Sequence, residues 1–182
     1  FNETFLTDVR LPDSDRIGAV GEGWACCMTT LMSERMGSGG QKSIVEPMIA
    51  VAEQTPSFTG QRAIDQGAVA ASLAEALAEE QASRHFEARL RTMLSRGENP
   101  GALAAMVKLS YASRLQKVSG LAFELRGLDA IAPASDDQRM ADMQYDYIWS
   151  SVMRIAGGAD EVLKNQISER LLGMPSEIRM DK

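Results

Sequence analysis

Apolar side chains recur at helical spacing along most of the chain, and this pattern predicts its main elements. A first helix begins at about Trp24 and is weakened by the glycines between residues 36 and 40, because glycine disfavours helix interiors. The helical pattern resumes over residues 43–53. It stops at Thr55-Pro56-Ser57, since proline lacks an N–H and its ring clashes with the preceding turn.

Turns rich in glycine and proline separate the remaining apolar stripes, and one of these loops is predicted at residues 132–136. The stripes predict helices over about 65–95, 103–125, 138–155 and 160–172. Long helices joined by short loops are typical of an antiparallel bundle. We therefore expect an all-α fold, built as an antiparallel four-helix bundle.

The first residues have a different pattern. Apolar and polar residues alternate loosely over residues 1–11, which predicts one or two short strands that end at the turn Pro12-Asp13. A strand needs a partner for its backbone groups, so we expect its sheet to be supplied from outside this chain. The chain starts with neither Met nor a signal peptide, which favours the C-terminal part of a longer protein.

The composition narrows the class of protein. Of the 182 residues, 45% are hydrophobic and 24% are charged, as in an ordinary globular domain. No apolar run is long enough to span a membrane, and a net charge of −6 disfavours binding to nucleic acid. The two cysteines, Cys26 and Cys27, are neighbours and cannot form a disulfide framework. We therefore expect a reducing, cytoplasmic location.

Few side chains are candidates for chemistry when each is taken alone. His85 is the only histidine and has no ligand partners at metal spacing, so we interpret it as a surface or packing residue. Cys26 and Cys27 lie where a helix dipole could lower a thiol pKa, but no base accompanies them, and buried, inert cysteine is the better interpretation. Glu34, beside Arg35, follows apolar residues and precedes glycines. Such a carboxylate is either a desolvated general base or part of an exposed ion pair, and the residues alone favour the ion pair.

The segment Gly157-Gly158-Ala159-Asp160 precedes the last predicted helix. Backbone N–H groups at a helix N-terminus, unobstructed by side chains, can hold a phosphate. The same residues are also a simple way to turn a corner between two helices, with Asp160 as the N-cap. On its own the segment leaves both interpretations open.

Three segments together resemble the C-terminal part of an acyl-CoA dehydrogenase. Residues 1–12 resemble the last strand of the middle β-domain of that family. Residues 21–24 followed by residues 31–35 resemble the start of its first C-terminal helix. Residues 154–162, with 165–170 and 172–175, resemble its terminal signature. The order and spacing of the three agree with the family across essentially the whole chain.

The resemblance implies a domain organisation and a reaction. Residues 1–20 would be the tail of the middle β-domain and its connection, and residues 21–182 the C-terminal helical bundle domain, which assembles into a dimer or tetramer. The family dehydrogenates an acyl-CoA thioester between its α- and β-carbons, with FAD as cofactor and an electron-transfer flavoprotein or similar acceptor as partner. The region would be inactive alone, because most of the flavin-holding domain lies elsewhere.

The resemblance also assigns the base and the acyl site. Many members carry the base near the chain end, at the position of Gly157, so that base is absent. Isovaleryl-type and long-chain-type members carry it on the first C-terminal helix, at the position of Glu34. The resemblance therefore favours Glu34 as the catalytic base, with Arg35 shaping the acyl site.

Cofactor contacts follow from the same resemblance. Ala156, Gly157, Gly158 and Ala159 match the loop that contacts FAD. Glu124 stands where relatives carry a glutamine that touches the flavin nucleotide of a neighbouring subunit.

Departures from the family pattern keep alternatives open. The arginine of an Arg-x-x-Phe-Gly segment, which meets the FAD diphosphate, is missing near residues 56–60. Glu124 replaces a neutral glutamine, and Ala159 replaces the usual threonine. These changes favour a non-catalytic oligomerisation subunit of a heteromeric enzyme as the second hypothesis. A flavin oxidase or monooxygenase of the same fold, or an unrelated helical bundle used for assembly, are further alternatives.

Overall fold

The computed structural model describes residues 3–37, 42–131 and 138–178, without the side chains of residues 32–37, 139 and 140. Seven α-helices lie within these ranges. They are α1 (Gly23–Gly37), α2 (Glu46–Gln54), α3 (Gly67–Ser95), α4 (Leu103–Arg126), α5 (Leu128–Ile131), α6 (Gln138–Met153) and α7 (Asp160–Arg170). The all-α fold expected from the apolar stripes is confirmed. The short α5 was not predicted, and the loop predicted at residues 132–136 falls outside the described residues.

Local hydrogen bonds explain where α2 begins and ends. The Ser43 hydroxyl accepts the N–H groups of Val45 and Glu46 at 3.2 and 3.0 Å, so two donors at the helix start are satisfied. At the other end the Thr55 N–H and hydroxyl both donate to the Val51 carbonyl, at 2.9 and 2.8 Å. The following proline cannot continue the helix, as the sequence predicted.

Helix α4 lies at the centre of the bundle and packs against α3, α6, α7, α1 and α2. Its buried face carries several alanines, which allow neighbouring helices to approach closely. One part of the core joins α2, α3 and α4 through the buried side chains of Val45, Met48, Ala52, Ala63, Val69, Leu73, Ala76, Val118 and Ala122. Leu90 of α3 and Leu163 of α7 are completely buried at other points.

The predicted N-terminal strands are not formed. Residues 3–12 contain neither strand nor helix and are exposed to solvent. The one β-type pairing in the described residues is an isolated bridge between Pro56 and Arg62. An extended segment becomes a strand only when a neighbour satisfies its N–H and C=O groups, and no described segment pairs with residues 3–12.

Helix α1, which contains Glu34, packs on α4. None of the described helices combines the length and apolar character that crossing a membrane requires.

Candidate active site

The turn between α6 and α7 depends on two glycines with unusual backbone angles. Gly157 has φ 68° and Gly158 has φ 111°, values that side-chain-bearing residues rarely adopt. The Asp160 N–H closes the turn by donating to the Arg154 carbonyl at 3.1 Å. We call residues 154–160 the glycine corner.

A buried charge network holds this glycine corner on α4. The Lys108 ammonium donates to the Gly158 carbonyl at 2.8 Å and lies 3.9 Å from Asp160 Oδ1. Arg154 Nε donates to Asp160 Oδ2 at 2.6 Å, and Arg154 Nη1 donates to the Gln116 side-chain oxygen at 2.5 Å. Lys108 is only 4% exposed and Asp160 only 2% exposed. Desolvated charges persist inside a protein when they are paired, so these contacts fix the corner in one position.

Several backbone donors of the glycine corner and of the start of α7 have no acceptor among the described residues. Asp160 contacts Lys108 and Arg154 and is not the N-cap, the role that the sequence left open for it. The N-cap is Ala159, which provides no side-chain cap. The N–H groups of Gly158 and Ala159, and those of Glu161 and Val162 in the first turn of α7, make no hydrogen bond within the described ranges. A helix N-terminus with free donors attracts acceptor atoms and negative charge. The corner therefore fits an acceptor-rich group such as a flavin cofactor.

The proposed base and its neighbour lie on the first helix. Glu34 and Arg35 belong to α1, but their side chains are outside the part of the chain that the structure describes. The position of the Glu34 carboxyl relative to the glycine corner therefore stays a prediction.

Glu124 lies on α4 away from the glycine corner. It is exposed and lines a hollow of about 340 Å³ with residues of α3. It is eight residues beyond Gln116, which contacts Arg154, and this spacing corresponds to about 12 Å along a helix. A free carboxylate at this position does not fit a diphosphate.

The segment expected to meet the FAD diphosphate lies in a tight exposed loop, residues 55–62, which we call the Thr55–Arg62 loop. The Ser57 N–H donates to the Gln61 carbonyl at 2.7 Å, and the Phe58 side chain at the tip is fully exposed. The cation of this loop, Arg62, is bound to Asp65 through two hydrogen bonds of 2.7 and 3.0 Å. This pairing lowers the pKa of the Asp65 carboxyl. The loop therefore carries no cation that is free for a diphosphate.

The remaining candidates are structural or peripheral. His85 is exposed, as predicted, and no cluster of possible metal ligands occurs in the ranges covered by the structure. Both cysteines are free thiols. Cys26 is half-buried and Cys27 is exposed, so the predicted burial is wrong for Cys27. Cys27 lies on the solvent-exposed face of α1. The helical spacing around Trp24 does not by itself show which face of this helix is exposed.

Lys108 was missed by the sequence analysis. It occupies the apolar stripe of α4 between Val107 and Ala112, where a charge is unexpected. A lysine within an apolar stripe could have indicated a buried ion pair from the sequence alone, because a buried lysine normally needs a partner. Its partners Gly158 and Asp160 are 50 and 52 residues away in sequence, and only the packing of α4 on the glycine corner identifies them.

Comparison with known proteins identifies the family. The sequence model of the family described as acyl-CoA dehydrogenase, C-terminal domain, matches residues 21–172 of this chain. The chain therefore belongs to the acyl-CoA dehydrogenase family and contains its C-terminal domain. Among curated relatives, the acyl-CoA dehydrogenase FadE34 of Mycobacterium tuberculosis is 28% identical over 96% of this chain. The chain spans 23% of that relative's length.

Solved structures share the fold. An acyl-CoA dehydrogenase from Geobacillus kaustophilus superposes with a TM-score of 0.77 at 22% identity, over 92% of this chain and 43% of its own. The ChsE4-ChsE5 complex from Mycobacterium tuberculosis superposes with a TM-score of 0.70 at 22% identity, over 96% of this chain and 46% of its own. In both comparisons the match covers less than half of the solved chain.

Proposed function

We propose that this chain is the C-terminal region of an FAD-dependent acyl-CoA dehydrogenase. The observation that carries the proposal is the glycine corner, in which Lys108 contacts Gly158 and Asp160 and the N–H groups of Gly158 and Ala159 make no hydrogen bond within the described residues. Family membership supplies the reaction, the α,β-dehydrogenation of an acyl-CoA thioester.

In this proposal the chain contributes a base and part of a cofactor site. Glu34 removes the α-proton of the thioester, and Arg35 shapes the acyl site. The segment from Ala156 to Ala159 contacts FAD, which supplies a hydride acceptor when it is bound. The support for the base assignment is that Glu34 belongs to α1, a helix that packs against α4, the helix that anchors the corner.

Turnover of the full-length protein tests this proposal. Wild type and Glu34→Gln are compared with straight-chain, branched and ring-bearing acyl-CoA thioesters and an electron acceptor. Loss of a general base lowers the rate by about 10²–10⁴-fold, and we expect a loss of this size with flavin content unchanged. Glu46→Gln, an exposed glutamate at the start of α2, is the matched control and should keep full activity. Full turnover by Glu34→Gln would refute the base assignment.

A second candidate is a non-catalytic subunit of a heteromeric acyl-CoA dehydrogenase. The Thr55–Arg62 loop favours it, because its one cation is paired with Asp65 and none is free to meet a diphosphate. The free carboxylate of Glu124 favours it too. Purification of the full-length protein with and without a catalytic partner separates the two: a colourless, folded protein that gains activity only in a complex supports the second candidate.

Partners and location follow from the same proposal. The acceptor would be an electron-transfer flavoprotein or a similar carrier, and reduction of a carrier rather than consumption of oxygen separates a dehydrogenase from a flavin oxidase or monooxygenase. Exposed apolar residues on α6, including Tyr145, Ile148 and Trp149, favour a homo- or hetero-oligomer. A monomer by light scattering would contradict this. We propose a cytoplasmic location, consistent with two free thiols.

A further inference from the structure

A polar pocket lies between α3 and α4, on side chains that the proposed reaction does not use. Its volume is about 300 Å³, room for about ten water molecules. Helix α3 contributes Glu80, Arg84, Glu87 and Arg91, which share one helical face, and α4 contributes Arg114. We call this the α3–α4 pocket.

Arg114 is buried here, and none of the described residues gives its guanidinium a close partner. The residue is 4% exposed, and its Nε is a buried donor that makes no hydrogen bond in the described residues. Its one hydrogen bond there is from Nη1 to the Ser110 hydroxyl at 3.4 Å, longer than the usual 2.7–3.2 Å. Among the described residues, no carboxylate oxygen lies within 4.0 Å of a guanidinium nitrogen of Arg114, the distance that defines an ion pair. Burial also lowers the pKa of this guanidinium.

The two carboxylates of the pocket, Glu80 and Glu87, pair with groups other than Arg114. Glu80 accepts a hydrogen bond from Arg84 at 2.7 Å and one from the Ile44 N–H at 3.2 Å. Glu87 lies 3.6 Å from Arg91. Both carboxylates therefore have a cation of their own, and among the described residues Arg114 has no carboxylate at ion-pair distance, although the charges of Glu80 and Glu87 partly oppose the effect of its burial.

The lining of the pocket has an excess of positive charge. Four cations, Lys42, Arg84, Arg91 and Arg114, face two carboxylates. The excess of two charges matches a dianion. Hydroxyl groups of Ser83 and Tyr111 also line the pocket and can donate to an oxyanion.

We propose that the α3–α4 pocket binds a small dianionic oxyanion, a dicarboxylate or a phosphate, on the guanidinium of Arg114. A planar guanidinium with free donors matches the oxygens of a carboxylate or phosphate group in a forked geometry. The bound anion supplies the missing partner of a desolvated cation. This proposal is independent of the dehydrogenase chemistry, since it uses neither Glu34 nor the glycine corner.

Titration calorimetry of the full-length protein tests the site. Disodium succinate and sodium phosphate serve as probes at constant ionic strength, and their relative affinities separate a dicarboxylate from a phosphate site. We expect saturable binding of at least one probe at one site per chain. Arg114→Gln should weaken it by about tenfold to a hundredfold, the usual effect of losing charge-assisted hydrogen bonds. Arg89→Gln, an exposed arginine of α3 outside the pocket, should bind as wild type does.

Thermal unfolding provides a second readout. The probe should raise the melting temperature of wild type and of Arg89→Gln, but not that of Arg114→Gln. Should Arg114→Gln fail to fold, Arg84→Gln replaces it, because this half-exposed side chain lines the same pocket and should weaken binding several-fold. Absence of saturable binding in wild type, or equal binding by wild type and both pocket variants, would overturn the proposal. A response to sodium chloride equal to that to the probes would overturn it as well.

Discussion

Replacing Lys108 with methionine tests whether the buried charge network holds the glycine corner. The substitution keeps an apolar stem of similar length but removes the ammonium that donates to the Gly158 carbonyl at 2.8 Å. It also removes the cation that lies 3.9 Å from Asp160 Oδ1, in a side chain that is 3% exposed.

The contacts set the expected magnitude. A hydrogen bond from a charged donor contributes about 1.5–3 kcal/mol, and removal of one partner from a buried ion pair costs about 3–5 kcal/mol. Asp160 keeps Arg154 at 2.6 Å, so its charge is not left alone. We therefore expect Lys108→Met to lower the free energy of unfolding by about 2–3 kcal/mol, in the upper part of the hydrogen-bond range and below the range for a buried charge left alone.

Equilibrium urea unfolding, followed by helical circular dichroism, measures the effect. The matched control is Lys117→Met on the same helix, whose ammonium is 55% exposed and pairs with Glu79 at 3.1 Å; it should change stability little. The double variant Lys108→Met/Asp160→Asn should lose less than the sum of the single losses, because it removes the uncompensated carboxylate. A loss no larger than that of Lys117→Met, or strict additivity in the double variant, would refute the reasoning.

Three further predictions concern the bundle itself. Leu90→Ala removes a completely buried side chain of α3 and should cost about 2–5 kcal/mol in urea unfolding, whereas Leu94→Ala, at an exposed site, should cost far less. Gly127→Ala places a side chain at φ 56° after α4 and should cost more than about 1 kcal/mol by the same measurement; an unchanged midpoint would contradict it. Desolvation and the charge of Asp142 raise the pKa of Asp146 above 3.8, so the protonated group stabilises the fold below pH 3.8 and this contribution is lost as pH rises through the raised pKa. The melting temperature of Asp146→Asn, measured relative to that of wild type, should therefore rise as the pH is raised from acid to neutral. A difference in melting temperature that does not change with pH would contradict this.

The sequence predicted the helices well where local chemistry sets their ends. The α2 end at Thr55 and the α3 end at Ser95 match, because proline and glycine next to them determine the backbone within a few residues. The predicted strands failed for the opposite reason. Alternation over residues 1–11 describes a segment suited to a sheet, but a strand depends on a partner that lies elsewhere in sequence.

The candidate site was only partly predictable. Gly157 and Gly158 were identified because positive φ angles leave a glycine signature in the sequence. The inward turn of Asp160 was not, since an acidic residue at a helix start normally caps it. Its partner Lys108 and the burial of Arg114, whose Nε has no partner among the described residues, both depend on which helices pack together, and a single apolar stripe does not encode that packing.

The most direct test of the proposed chemistry follows the α-proton of the substrate. Full-length protein is incubated anaerobically in deuterated water with an acyl-CoA thioester, and α-deuteration is read by NMR. The proposal predicts protein-dependent exchange that survives in Glu46→Gln and falls to the uncatalysed rate in Glu34→Gln. Exchange that persists at the wild-type rate in Glu34→Gln would contradict the assignment of this carboxylate as the base.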